Sequence, residues 1–148
     1  MTIVFAFLHH LAFVAIFVAL SIEMILLRQT LTLENARRLQ LYDAVYGAAA
    51  GAGLIIGAGR VIFFEKGGYY YLSSHAFLTK MALFFIVGAI SIIPTVEFLR
   101  WRAATRGGKV PQVDDAKLQR IRRIVHWELV GLMLMLFFAA WMARGAFR

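Results

Sequence analysis

Two adjacent histidines, His9 and His10, are the only polar side chains in the segment FAFLHHLAFVAIFVAL near the amino terminus. Imidazole is a common metal ligand and can accept or donate a proton near neutral pH. Ionisable side chains are costly in hydrocarbon and tend to mark functional positions there, where they need a partner. If this segment lies in a membrane, the pair therefore indicates a metal or cofactor site.

Other basic residues lie at the ends of apolar segments, at a depth similar to that of the histidine pair. Arginine and lysine bind anionic groups such as carboxylates, although both can also extend to lipid headgroups. We therefore predict one shared site. Its predicted residues are His9 and His10 as metal ligands; His9, His10, Arg60, Lys80 and His75 as cofactor contacts; and Lys80 and Arg60 as catalytic residues.

The two histidines cannot both face the interior of a helix bundle, because neighbouring residues differ by about 100° around the helix. His9 shares a face with Ala12, Ala19 and Glu23, a stripe of small and polar residues. This pattern favours His9 as the inward residue.

A second group of ionisable residues lies toward the opposite ends of the same segments. Three of its acids, Glu23, Glu97 and Glu128, are close in sequence to basic residues. We predict that they form ion pairs at the membrane border. The full group is Glu23, Asp43, Glu97, Arg100, Arg123, His126 and Glu128.

Composition places these residues in a membrane. Hydrophobic residues make up 61% and charged residues 16% of the 148, and the mean hydropathy is +0.74. Four apolar runs are each close to the ~20 residues that a helix needs to cross a bilayer, and no segment alternates like a strand. We predict one all-α domain over 1–148, an integral four-helix bundle with up-down-up-down topology. The predicted spans are about 3–27, 44–64, 76–99 and 122–143.

The distribution of Lys and Arg predicts the orientation. Of the sixteen, three lie within 28–43 and eight within 100–123, two segments on the same side of the bundle. The positive-inside rule then places both termini on the outer side of the membrane. The net charge of +8 indicates contact with anionic lipids. We expect no nucleic-acid partner, and four short helices are compatible with a homo-oligomer.

The second apolar run contains the sequence YGAAAGAGLIIGAGR, with Gly47, Gly51, Gly53 and Gly57. Such spacing is typical of membrane helices that pack closely. Glycine on an inward stripe also allows a flat macrocycle to lie against a helix. The sequence leaves both explanations open.

Several chemistries are excluded by the sequence itself. The chain has no cysteine, which excludes thiol catalysis, disulfides and iron–sulfur clusters. It also has no HExxH, GxSxG or phosphate-loop motif. Hydrolysis is therefore not expected.

The chain resembles, over nearly its full length, a bacterial family of small membrane proteins, domain of unknown function 2214. The similarity is carried by LHHLAF, YGAAAGAGLIIGAGRVIFFEKGGYYYL, FLTKMALFFIVGAISIIPTVEFLRWR and RIRRIVHWELV. More distantly, it resembles HemJ-type protoporphyrinogen oxidases and CopD-type copper-resistance proteins. This resemblance aligns His10 with an early histidine and Lys80 with a lysine, and it implies a tetrapyrrole or redox role.

We therefore expect a bundle that binds haem b or another tetrapyrrole, with a porphyrin or a quinone as partner. If the protein is an enzyme, we expect a membrane oxidoreductase. Two alternatives stay open: a copper or small-anion binding or transport protein, and a structural accessory subunit.

Overall fold

The computed structural model describes residues 2–64 and 73–144, and all of its regular elements there are helices. The predicted all-α class is therefore confirmed for the described residues. The elements are α1 (Thr2–Arg28), α2 (Leu33–Gly59) with a π-helical continuation (Arg60–Phe64), α3 (His75–Arg100), α4 (Arg102–Arg106) and α5 (Asp115–Ala143). Within the described residues, four helical segments are long and apolar enough to cross a membrane: Ile3–Arg28, Leu33–Phe63, His75–Arg106 and Asp115–Ala143.

Helix α2 begins well before the apolar run from which a span was predicted. Thr32 caps it, since its hydroxyl accepts a hydrogen bond from the backbone N–H of Asn35 at 3.1 Å. The added turns are amphipathic, and Ala36 and Leu39 on their inner face are buried in the core. Burial of one apolar stripe is enough to extend the helix beyond the hydrophobic segment.

The long helices pack as two close pairs. Helix α1 lies along α2, and α3 lies along α5, while α1 also contacts α5. Helices α2 and α3 touch each other much less. The core between the pairs contains Leu20, Leu39, Phe98 and Val125. This arrangement leaves space between α2 and α3 on one side of the core.

Two arginines bind the carboxyl ends of neighbouring helices. Arg122 on α5 donates a hydrogen bond to the carbonyl of Leu27 at the end of α1. Arg37 on α2 donates to the carbonyl of Thr105 in α4 at 2.9 Å. Carbonyls in the last turn of a helix lack partners within the helix, so these contacts stabilise the end of the bundle remote from His9.

Candidate ligand-binding site

A cavity of about 980 Å³ lies between α2 and α3, with α1 and α5 forming its floor. Its volume is at the upper end of the ~300–1,000 Å³ of ordinary ligand pockets. The α2 wall consists of small residues, which keep backbone rather than side chains at the surface of the cavity. These residues include Ala44, Gly47, Ala48, Ala50, Gly53, Gly57 and Ala58.

His9 lines one end of this cavity and is half-buried. A Cβ atom at Gly57 would lie only 3.1 Å from His9 Cε1, so the imidazole rests against the bare backbone of α2. The ring forms a hydrogen bond with the backbone of Gly53, while the buried Nδ1 atom has no hydrogen-bond partner. Among the described residues Nδ1 thus has no protein partner, but it is shielded by the packing against α2, and a ligand could reach it only if the imidazole turned toward the cavity.

His10 has a different environment, although it also borders the cavity. Its side chain is exposed, and its Nδ1 atom lies 2.6 Å from the carbonyl oxygen of Ala6. The two imidazole centroids are 6.3 Å apart. Of the two predicted metal ligands, His9 is the one with a buried, unpartnered nitrogen, as the small-residue stripe on its face indicated.

Arg60 and Lys80 line the same end of the cavity as His9. Both cations are close enough to the imidazole to act on it electrostatically. The ammonium group of Lys80 lies 5.4 Å from the centroid of the Phe77 ring, within the range of a cation–π contact. We call the group formed by His9, Arg60 and Lys80 the basic end of the cavity.

The structure does not bring His75 to the basic end. His75 is exposed at the first turn of α3 and is not part of the cavity wall. Within residues 2–64 and 73–144, no set of three or more His, Asp or Glu side chains is arranged to hold a metal ion. A metal site with three or more such protein ligands is therefore not formed by the described residues, whereas an iron already held by a macrocycle needs only one or two.

Three acids from three helices meet at a deeper level of the bundle: Glu23 on α1, Asp43 on α2 and Glu128 on α5. Their carboxyl groups are close enough to interact electrostatically. Glu23 and Glu128 are each 1% exposed and Asp43 is 8% exposed. We call these three residues the carboxyl cluster.

The prediction of border ion pairs was correct for only one of three glutamates. Glu97 pairs with Arg100 at 3.8 Å and with Lys117 at 3.5 Å. Glu23 and Glu128 instead point into the bundle, and Oε1 of each has no hydrogen-bond partner. Proximity in sequence was misleading because their positions around the helix turn these side chains away from the border arginines.

Two hydroxyl groups form hydrogen bonds with the carboxyl cluster. Thr95 on α3 donates a hydrogen bond to Asp43 at 2.8 Å, and Tyr46 is hydrogen-bonded to Glu128. Asp43, Tyr46 and Thr95 also line the cavity. The sequence analysis missed Tyr46 and Thr95; the spacing of Asp43 and Tyr46, one turn apart on α2, was the available signal.

The fold and the site define an all-α membrane protein with an internal cavity, basic at one end and flanked by acids at the other. The chain belongs to the family described as predicted membrane protein, domain of unknown function 2214, whose model matches residues 1–146. This match confirms the resemblance noted in the sequence. No curated protein and no solved structure matches the chain. The more distant likeness to HemJ-type and CopD-type proteins stays a prediction.

Proposed function

We propose that this chain is a bacterial inner-membrane protein that binds haem b, or a closely related tetrapyrrole, in the cavity between α2 and α3, and that it acts as a membrane oxidoreductase. The observation that carries the proposal is the unpartnered Nδ1 atom of His9 at the basic end. A buried polar atom without a partner is unusual and calls for an explanation. An iron ligand at this position would provide one.

The surroundings of His9 fit a residue that would bind the iron of a haem. Metal-binding histidines usually form a second hydrogen bond through the other ring nitrogen, often with a backbone carbonyl, which fixes the ring orientation. The contact between the His9 ring and the Gly53 backbone corresponds to this arrangement. The close approach of Gly57 further restricts the ring, since a Cβ atom at Gly57 would lie 3.1 Å from His9 Cε1, closer than an ordinary contact.

The basic end also fits the anionic groups of such a ligand. Haem and its precursors carry carboxylates beside an apolar ring system, and Arg60 and Lys80 supply cations beside His9. The glycine and alanine wall of α2 gives a flat surface for a planar ring. In this proposal His9 binds the iron, while Arg60 and Lys80 bind carboxylates and hold the ring in place.

When bound, haem supplies one-electron chemistry, and the protein determines what reaches it. Apolar residues such as Phe84 and Leu136 form much of the cavity wall and would contact the hydrophobic ring. A hydrophobic partner, either a quinone or a porphyrinogen, would enter from the lipid between α2 and α3, where the two helices make few contacts.

The proposed orientation has up-down-up-down topology with both termini in the periplasm. The basis is the concentration of Lys and Arg in the segments 28–43 and 100–123, which the positive-inside rule places in the cytoplasm. The basic end of the cavity would then lie toward the periplasm. Anionic headgroups would contact the basic cytoplasmic segments.

The first prediction concerns haem binding by the purified protein. Haem added to the wild type should give a Soret band that saturates, and His9→Ala should abolish this band because the axial ligand is lost. His10→Ala is the matched control and should bind normally, since that imidazole is exposed and its Nδ1 lies against the Ala6 carbonyl. Loss of the band in His10→Ala with full binding in His9→Ala would contradict the assignment.

The second prediction separates ring binding from carboxylate binding. Arg60→Gln or Lys80→Met should keep the Soret band but weaken haem affinity by about ten- to a hundredfold, since a charge-assisted hydrogen bond contributes ~1.5–3 kcal/mol. The same titration with a haem ester, which lacks the anionic carboxylates, should show no difference between these variants and the wild type. Equal loss of affinity for haem and for the ester would contradict a role in binding carboxylates.

A further inference from the structure

We infer that the carboxyl cluster of Glu23, Asp43 and Glu128 is an internal proton-binding site, which holds protons at neutral pH and exchanges them with the cavity through Asp43. The inference goes beyond the haem proposal and does not depend on it. It rests on the burial of the three acids, on the nature of their neighbours and on the position of Asp43 in the cavity wall.

The first support for a bound proton is the burial of the carboxyl groups. Glu23 and Glu128 are 1% exposed, and the Oε1 atom of each lacks any hydrogen-bond partner. An ionised carboxylate in such a place would lose its hydration without gaining a cation, and the single Tyr46 hydroxyl on Glu128 replaces only part of that hydration, which is unfavourable. A proton on the carboxyl group removes the charge and supplies a donor for the neighbouring oxygen.

The second support is the nature of the neighbouring side chains. Each helix packed around the carboxyl cluster presents acidic or hydroxyl side chains to it. Helix α1 provides Glu23, and α5 provides Glu128. Asp43 and Tyr46 come from α2, and Thr95 comes from α3. Within the described part of the chain, none of the side chains that act on these carboxyls is cationic.

A metal ion would be the other way to neutralise the cluster. The described residues include no group of three or more acids or histidines whose geometry suits a metal ion. Carboxyl groups that interact electrostatically without a cation favour a bound proton, because two nearby carboxylates disfavour the ionised form of one another. The observations therefore point to protons rather than to a metal.

The third support is the position of Asp43, which connects the carboxyl cluster with the cavity. Asp43 and Tyr46 line the cavity, whereas Glu23 and Glu128 are not part of its wall. A proton leaving water in the cavity would bind a carboxylate oxygen of Asp43, and on release it would return to water as hydronium. Only O–H bonds form and break, so the exchange needs no other reactant.

Infrared spectroscopy of the purified, haem-free protein tests this inference directly. At neutral pH the wild type should show the C=O stretching band of protonated carboxyl groups, and strongly alkaline buffer should remove it. Glu23→Gln and Glu128→Gln should each lose part of the band. Glu97→Gln is the matched control and should keep the band unchanged, because Glu97 is paired with Arg100 and Lys117.

Absence of the band from the wild type at neutral pH would overturn the inference, and so would a band that neither Glu23→Gln nor Glu128→Gln reduces. The wild-type spectrum is informative even if a variant fails to fold. Because the sample contains no haem, failure of the haem proposal leaves this measurement unaffected, and the two proposals can fail separately.

Discussion

His9 and His10 are neighbours on α1, but their imidazoles lie in different environments. His9 rests against the backbone of α2 with a buried Nδ1 atom that has no hydrogen-bond partner. His10 is exposed and has its Nδ1 beside the Ala6 carbonyl. The difference follows from the ~100° rotation between neighbours in a helix. The hydrogen bonding of each imidazole nitrogen is thus determined by the neighbour that the ring contacts.

The contact between His9 and Gly57 provides a residue-scale prediction. Gly57→Ala would place a Cβ atom 3.1 Å from His9 Cε1, so the ring must move and haem affinity should fall several-fold. The helix itself should tolerate alanine, which is a better helix former than glycine by about 1 kcal/mol. Haem titration monitored at the Soret band measures the effect.

Gly51→Ala is the matched control for this experiment. A Cβ atom at Gly51 has no neighbour within 4 Å, so haem affinity should be unchanged. Equal affinities for Gly57→Ala, Gly51→Ala and the wild type would show that the packing of His9 against α2 has no part in binding.

Individual residues also show which parts of the site could be predicted from the sequence and which could not. The stripe of Ala12, Ala19 and Glu23 correctly indicated that His9 faces inward, because side chains three to four residues apart share a helix face. The carboxyl cluster was not predicted, because it joins residues from α1, α2 and α5. Sequence spacing gives the facing direction within one helix but not the rotation of that helix against its neighbours.

At the scale of elements, the unequal packing of the helices produces the cavity. Close contact within the pairs α1–α2 and α3–α5 leaves α2 and α3 apart, and Gly47, Gly53 and Gly57 of α2 line the gap. The sequence predicted four apolar helices because length and composition determine membrane spans. It did not predict which pair would separate, because small residues are compatible with close packing and with an open cavity alike.

The contact between α3 and α5 depends on Gly131. A Cβ atom there would collide with Cγ2 of Val87, so Gly131→Ala should destabilise the bundle by ~1–3 kcal/mol, the usual cost of overpacking. The thermal unfolding midpoint in detergent measures this effect. Gly88→Ala is the matched control, since a Cβ atom at Gly88 meets nothing within 4 Å, and its midpoint should not fall.

A second substitution identifies the cause of this destabilisation. Val87→Ala removes the side-chain atom that the new methyl group meets, so the double variant Gly131→Ala with Val87→Ala should regain part of the lost stability. A strictly additive double variant would show that the collision between these side chains is not the source of the loss.

At the scale of the whole molecule, the proposed topology predicts which residues are accessible from each side of the membrane. The chain has no cysteine, so single cysteines can be introduced at the exposed positions Gln112 and Ala143. In bacterial cells whose outer membrane has been permeabilised, an impermeant maleimide should label Ala143→Cys at once and Gln112→Cys only after lysis. The reverse pattern would place the basic end of the cavity in the cytoplasm.

The central claim, that His9 would hold a haem in this cavity through an imidazole nitrogen, is tested most directly by one absorbance measurement. The protein should be purified from membranes of haem-replete bacteria and its spectrum recorded in the oxidised and then the reduced state. We predict a Soret band with split bands after reduction, and the loss of both in His9→Ala. A colourless wild-type protein, or an unaltered spectrum in His9→Ala, would contradict the claim.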